Sequence, residues 1–231
     1  MCHVSCILFG VNQLTEFDIS GKSVLDVGSR DYNGNFAPLI KRLNPAKYVG
    51  VDMLEGPGVD IVCRAENLVE KFGKEFFDVV IASELMEHTS NWREVISNLK
   101  NVCKPDGLVV ITTRSEGFRI HGYPHDYWRY ELKDIEDIFS DCQILTLERD
   151  PEAPGVFLKA RKPKNFSENS LDKISLYSIL EKKRILTIDE NLQKRFWYRY
   201  GIYQKILRFV RKFEKMIINF LKNVSFSRHP R

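Results

Sequence analysis

The chain has 231 residues, 43% hydrophobic and 29% charged, which is enough apolar material to bury a core and excludes a disordered chain. Its net charge of +4 is unevenly spread: residues 194–231 hold eleven Lys/Arg against the single acid Glu214, so a body of net −6 carries a basic tail. Five cysteines (Cys2, Cys6, Cys63, Cys103, Cys142) with no CxxC pair argue against a disulfide framework and point to reduced thiols. The apolar run at residues 6–10 is too short for a signal peptide or a membrane span, so a cytoplasmic protein is expected.

Residues 1–21 read as an irregular or short helical lead-in. A strand over 23–27 precedes a polar turn and a helix that ends near Leu43, where Asn44-Pro45 breaks it. Strands over 48–51 and 59–63 flank the loop Glu55-Gly56-Pro57-Gly58, and a helix over 66–72 stops at Gly73. The almost wholly apolar stretch 76–82 predicts a central parallel strand covered on both faces. Val95, Ile96, Leu99, Val102 and Cys103 recur at helical spacing over 92–103. Lys104-Pro105-Asp106-Gly107 then turns into a strand over 108–112. A loop rich in aromatics and histidine (113–130), a helix (131–139) and two strands (143–148 and 156–160) that form an antiparallel edge hairpin complete the pattern. A Rossmann-like α/β fold follows, with a mostly parallel sheet and helices on both faces. After residue 162 comes a polar connector with predicted helix over 174–186. The last stretch places Ile202, Ile206, Phe209, Val210, Phe213, Ile217, Phe220, Leu221 and Val224 on one face of a basic amphipathic helix.

Val24-Leu25-Asp26-Val27-Gly28 reads as strand into tight turn, where glycine lets the backbone approach a ligand and the next helix offers free N–H groups. Asp52, ending the next strand, suits hydrogen bonds to ribose hydroxyls. With VLDVGSRDYNGN (24–35), YVGVD (48–52), FDVVIASELMEH (77–88) and LKNVCKPDGLVVITT (99–113) in this order, the chain resembles class I S-adenosylmethionine-dependent methyltransferases of the type 11-like group over residues 22–162. The resemblance implies a seven-stranded sheet, S-adenosylmethionine as cofactor, and three regions: lead-in 1–21, catalytic domain 22–162, and connector with tail 163–231. By the same resemblance Asp26, Gly28 and Ser29 lie against the methionine part of the cofactor, Asp52 and Met53 at the ribose, Ala65 and Glu66 at the adenine, and Ala82 and Ser83 near the sulfur. The turn departs from the common GxGxG, since Ser29-Arg30-Asp31 follows Gly28 and the next glycine is Gly34.

Methyl transfer from a sulfonium is an in-line displacement in which the protein mainly positions donor and acceptor and at times removes a proton. The acceptor candidates lie in residues 121–130, where His121 or His125 is a possible general base oriented by Asp126. Arg129 is a candidate to hold an anionic group and Tyr127 to stack on a ring or sugar; the competing reading is a structural clamp with an Asp126–Arg129 pair. Glu87 reads as a residue that orients the loop. No metal-ligand spacing stands out, so no metal is expected. The expected acceptor is a small molecule or glycan, including a lipid-linked sugar if the tail touches the inner membrane surface; the alternatives for the tail are packing on its own core or a homodimer, and nucleic acid is disfavoured by the lack of a recognition motif. Two competing functions are a nicotinamide-dependent oxidoreductase, which the missing GxGxxG disfavours, and a non-catalytic scaffold or membrane adaptor.

Overall fold

The computed structural model describes residues 4–32, 34–122 and 124–226, with side chains as far as residue 218. The chain divides into two compact units, residues 1–187 and 188–231.

The first unit is built on a seven-stranded sheet of order β3-β2-β1-β4-β5-β8-β7. Strands β1 (Ser23–Val27), β2 (Lys47–Asp52), β3 (Ile61–Val62), β4 (Phe77–Ser83) and β5 (Cys103–Arg114) run parallel. The hairpin of β7 (Gln143–Arg149) and β8 (Gly155–Arg161) closes the sheet antiparallel to β5. The family's seven-stranded arrangement is therefore present, with β8 inside and β7 at the edge. Parallel strands need covered faces, and five consecutive residues of β4, Val79 through Ser83, are at most partly exposed for that reason. On one face α1 (Val4–Gln13), α2 (Glu16–Ile19) and the link between them bury Cys6, Phe9, Leu14 and Ile19 against Val24, Val79, Val110 and Phe157. Helix α3 (Ala37–Arg42) adds Ile40 to the same core. Helix α5 (Trp92–Val102) buries Val95, Ile96, Leu99 and Val102, the stripe its sequence spacing foretells. The lead-in is thus core structure. Cys6 is fully buried, and Cys2 lies outside the described residues.

Two expectations are corrected. Residues 104–107 do not form a clean turn: β5 begins at Cys103 and carries an irregularity where Asp106 adopts φ 64°. The helix expected over 174–186 is instead an antiparallel pair, β9 (Leu176–Ser178) and β10 (Lys183–Ile185). β9 also pairs with β6 (Trp128–Arg129). The partner that makes this segment a strand comes from a distant part of the chain, and Leu176 and Ser178 bury alternate side chains as a strand requires. Helix α6 (Leu132–Ile138) follows β6, and short α4 (Leu68–Phe72) follows a 3-10 turn at Ala65–Asn67.

The second unit contains α7 (Glu190–Phe226), a helix of 37 residues. Ile202, Ile206, Phe209, Val210, Phe213 and Ile217 along it are exposed. No helix among the described residues is long and apolar enough to cross a membrane.

Candidate active site

The donor side is assembled where β1 and β2 end. Gly28 turns the chain at φ 79°, and a Cβ there would meet Leu85 Cδ1 at 3.3 Å, so both conformation and space call for glycine. The amides of Gly28 and Ser29 both donate to the Val51 carbonyl, at 2.8 and 3.0 Å. They link β1 to β2 and are not spare donors. Helix α3 offers few either, since Pro38 occupies its first turn and the Ala37 amide donates to Asn35 Oδ1 at 3.1 Å. The longer polar turn is strapped to the loop after β2: Ser29 Oγ donates to the Gly58 carbonyl (2.8 Å) and the Asp31 amide to that of Pro57 (2.8 Å). Asn33 lies outside the described residues.

Asp26 is 2% exposed and accepts a hydrogen bond from Tyr48 Oη at 2.7 Å. Burial pushes its carboxyl up to about 6, with the tyrosine hydroxyl pulling the other way. It is therefore not a solvated strand-end acid, and part of the cost of burying it is met by β2. Asp52 is half-buried at the end of β2, and its Oδ1 accepts from the Leu54 amide at 2.9 Å. Exposed Met53 follows, bordering a groove of about 400 Å³ shared with Val62, Cys63, Arg64 and Asn67. Ala65 is buried, and Glu66 pairs with Arg64 at 3.3 Å. A smaller cavity of about 210 Å³ near Asp78, Pro105 and Gly107 opens at the opposite end of the strands.

The acceptor side is built by the chain leaving β4 and β5. Ala82 is buried and Ser83 Oγ lies 2.8 Å from Thr112 Oγ1. Glu84 holds φ 52°, a conformation unusual for a residue with a side chain, and forms a buried ion pair with Arg114. Arg114 also binds Asp150 at 2.9 Å, which accepts from Ser5 Oγ at 2.9 Å. The Met86–His88 turn is then clamped by residues 126–130. Tyr130 Oη donates to the Met86 carbonyl (3.2 Å), Trp128 Nε1 to that of Thr89 (3.1 Å), and the Tyr127 amide to that of Glu87 (2.8 Å).

Inside this clamp the acceptor candidates separate. Arg129 is buried, and its guanidinium binds Asp126 twice (2.6 and 3.0 Å) and also donates to the carbonyls of Trp128 and Arg119. Arg129 is committed to the fold and does not meet the expectation of an anion holder. Asp126 also accepts from the His121 amide at 2.7 Å. Both ring nitrogens of His121 face carboxylates, Nδ1 at 3.2 Å from Asp126 and Nε2 at 3.5 Å from Glu87. Neither contact has hydrogen-bond geometry. Burial works against charge on His121, but these two acids raise it to about 9. An imidazole that keeps its proton at neutral pH cannot serve as a base there, so His121 is corrected from that role. His88 donates from Nδ1 to the His125 carbonyl, and burial holds it below the usual histidine range. Burial pushes Glu87 up, but the His121 and His88 rings outweigh it and hold the carboxyl well below the usual range. The His125 ring is exposed, with Nδ1 3.1 Å from the hydroxyl of buried Tyr127.

The sequence profile of the methyltransferase domain family matches residues 9–172, most of the chain. The chain belongs to the S-adenosylmethionine-dependent methyltransferase family. A ubiquinone biosynthesis O-methyltransferase of Neisseria meningitidis is 32% identical over 111 residues, which are 42% of this chain and 45% of that protein. The chain thus spans less than half the length of the curated relatives it matches. Among solved structures, the Burkholderia thailandensis 1,6-didemethyltoxoflavin-N1-methyltransferase, with bound 1,6-didemethyltoxoflavin and S-adenosylhomocysteine, aligns with TM-score 0.53 at 13% identity, covering 70% of this chain and 77% of that one. The [4+2]-cyclase SpnF aligns with TM-score 0.55 at 16% identity, covering 69% and 80%. Likenesses this remote establish the fold, and a cyclase among them shows that the fold serves more than one reaction.

Within the family frame, the contact of Leu85 with the Gly28 turn joins the two sides at the carboxyl edge of the sheet. Sequence reasoning missed Tyr48 as the partner of Asp26, and the Glu84–Arg114–Asp150 network. The available signal was chemical: a buried acid in a strand needs a donor on a neighbouring strand.

Proposed function

We propose that this chain transfers a methyl group from S-adenosylmethionine to a hydroxyl of a small-molecule or glycan acceptor at the carboxyl edge of the sheet. The observation that carries the reading is that Asp26, the Gly28 turn and Asp52 lie at the carboxyl ends of β1 and β2, and that the loop bearing exposed His125 is hydrogen-bonded to the Met86–His88 turn that follows β4. The cofactor, when bound, supplies a methyl group on a positively charged sulfur. The residues fit it: Asp52 would hold the ribose hydroxyls, and the groove beside Met53 and Ala65, with Glu66 at its border, would take the adenine. Gly28 and Ser29 would contribute backbone surface, since their amides are used, and Asp26 would face the methionine portion. Ala82 and Ser83 would border the transfer site. His125 accepts the acceptor's proton, because it is the exposed ring of the three and Tyr127 steadies it. Asp126 acts on position only, and catalysis and binding fall to residues 22–162. A hydroxyl acceptor is preferred because the curated relatives are named O-methyltransferases.

Thermal unfolding with S-adenosylhomocysteine and with NAD tests the donor. At about 100 times its dissociation constant the adenosyl ligand adds roughly 2.7 kcal/mol and shifts the midpoint by several degrees, whereas NAD leaves it in place. A shift with NAD alone reverses the reading toward hydride transfer.

We further propose that α7 lies on an anionic membrane surface. Support comes from its exposed apolar stripe, Ile202, Ile206, Phe209, Phe213 and Ile217, beside Lys205, Arg208, Lys212 and Lys215. Each basic residue near such a surface contributes about 1 kcal/mol. Vesicles of phosphatidylglycerol and phosphatidylcholine should capture the protein in low salt and release it in high salt, with phosphatidylcholine alone ineffective. Phe209→Asp should weaken capture. A dimer in solution that ignores both vesicles removes the proposal.

A further inference from the structure

Glu87, His88 and His121 come from two separate segments, yet one ligand-type atom from each falls within 4.8 Å of the others. Glu87 Oε1 lies 3.8 Å from His88 Nε2 and 3.5 Å from His121 Nε2. That oxygen is buried, has no hydrogen-bond partner and belongs to a fully buried side chain. Burying an acceptor unmatched is costly, more so on a carboxylate. Both ring nitrogens of His121 also lack hydrogen bonds. Something other than a protein donor is suited to the space between them.

The surroundings orient all three side chains toward that space. Thr113 Oγ1 donates to Glu87 Oε2 at 2.8 Å, leaving Oε1 as the outstanding atom. The His88 Nδ1 proton is committed to the His125 carbonyl, so the neutral ring presents its Nε2 lone pair. Asp126 stands 3.2 Å from His121 Nδ1 and is itself held twice by Arg129, so a cation that displaces the Nε2 proton of this ring leaves the other proton on Nδ1, facing Asp126, and takes the freed Nε2 lone pair. A carboxylate or carbonyl behind each imidazole is the outer arrangement that metal-ligating histidines use.

We propose that Glu87, His88 and His121 bind a divalent transition-metal ion of the Zn²⁺ type. Two imidazoles and one carboxylate favour such an ion over Mg²⁺ or Ca²⁺, which prefer oxygen ligands. Bonds of about 2.0–2.1 Å in a tetrahedral shell place ligand atoms roughly 3.4 Å apart, so the two measured separations need only a small contraction. Glu84 stands outside this cluster, and its Oε2 is held by Arg114. Three protein ligands would leave one position open, and the His88 and His121 side chains are 20% and 14% exposed, so the cluster is reachable from outside. Resting on the acceptor reading above, a bound ion would supply an open position for the acceptor's hydroxyl oxygen and lower its pKa, and His125 would receive the proton. This assigns an ion where the sequence spacing suggests none, because His121 reaches the Glu87-His88 pair only through the fold.

The test uses the untagged full-length chain, stripped with chelator and titrated with Co²⁺ and then Zn²⁺, read by calorimetry and by the visible absorption of bound Co²⁺. The expected result is one equivalent with the intense bands of a tetrahedral site, displaced by Zn²⁺. His121→Asn and Glu87→Gln should each weaken binding at least about 100-fold, Asp126→Asn about 10-fold to 100-fold, and His125→Asn less than about twofold. If a variant unfolds by circular dichroism, the remaining folded variants and the wild-type spectrum decide. Absence of stoichiometric Co²⁺ binding by the wild type, or binding unchanged in folded His121→Asn or Glu87→Gln, overturns the site. S-adenosylhomocysteine binding is measured on the same samples. Its retention alongside metal failure removes only this inference, while its loss from wild type removes the underlying reading.

Discussion

The proposed donor side and the proposed acceptor side of this site are made in different ways. The donor turn is local: β1, Gly28 and β2 are near neighbours in sequence, and two amides donating to one carbonyl, that of Val51, hold them. The proposed acceptor side is held by groups that reach across the chain, with the Trp128 and Tyr130 side chains and the Tyr127 amide gripping the backbone of 86–89. Local motifs survive drift in the surrounding fold, whereas a clamp of this kind depends on every member.

Truncating the clamp should have the largest effect. Trp128 is fully buried, and Trp128→Ala should cost about 3–5 kcal/mol in urea-induced unfolding. A loss below about 1 kcal/mol would show that the clamp is dispensable. The donor side can be probed through Asp26. The unfolded carboxyl releases its proton near 3.8 and the folded one near 6, so the folded state holds the proton longer. The stability that this contributes is complete below pH 3.8 and is lost as pH rises to about 6, on the order of 3 kcal/mol in all. Asp26→Asn should flatten that segment of the stability profile, and an unchanged profile would contradict the buried-acid assignment. The smallest stability effect is expected at Asp52, which is half-buried. Asp52→Ala should leave unfolding within about 1 kcal/mol while weakening S-adenosylhomocysteine about 30-fold, the equivalent of roughly 2 kcal/mol of charge-assisted hydrogen bonding. Equal affinity in calorimetry would separate the ribose site from this residue.

These contrasts explain what could be read early. The strand–turn–helix order, the amphipathic stripe of α5 and the apolar run of β4 are patterns of period and punctuation, and each emerged close to its expected bounds. The segment 174–186 misleads because its apolar residues suit a helix when taken alone. Pairing of β9 with β6 outweighs that local preference by burying Leu176 and Ser178.

The sequence by itself determined the order of the seven main-sheet strands along the chain, the family and the position of the Gly28 turn, since these depend on spacing along the chain. Only the tertiary structure decided which polar groups have partners. Asp26 finds Tyr48 on the neighbouring strand, Arg129 is consumed by Asp126 and nearby carbonyls, and His121 is placed between two acids. The reason is physical: a buried charge takes its protonation state and its role from what surrounds it in space.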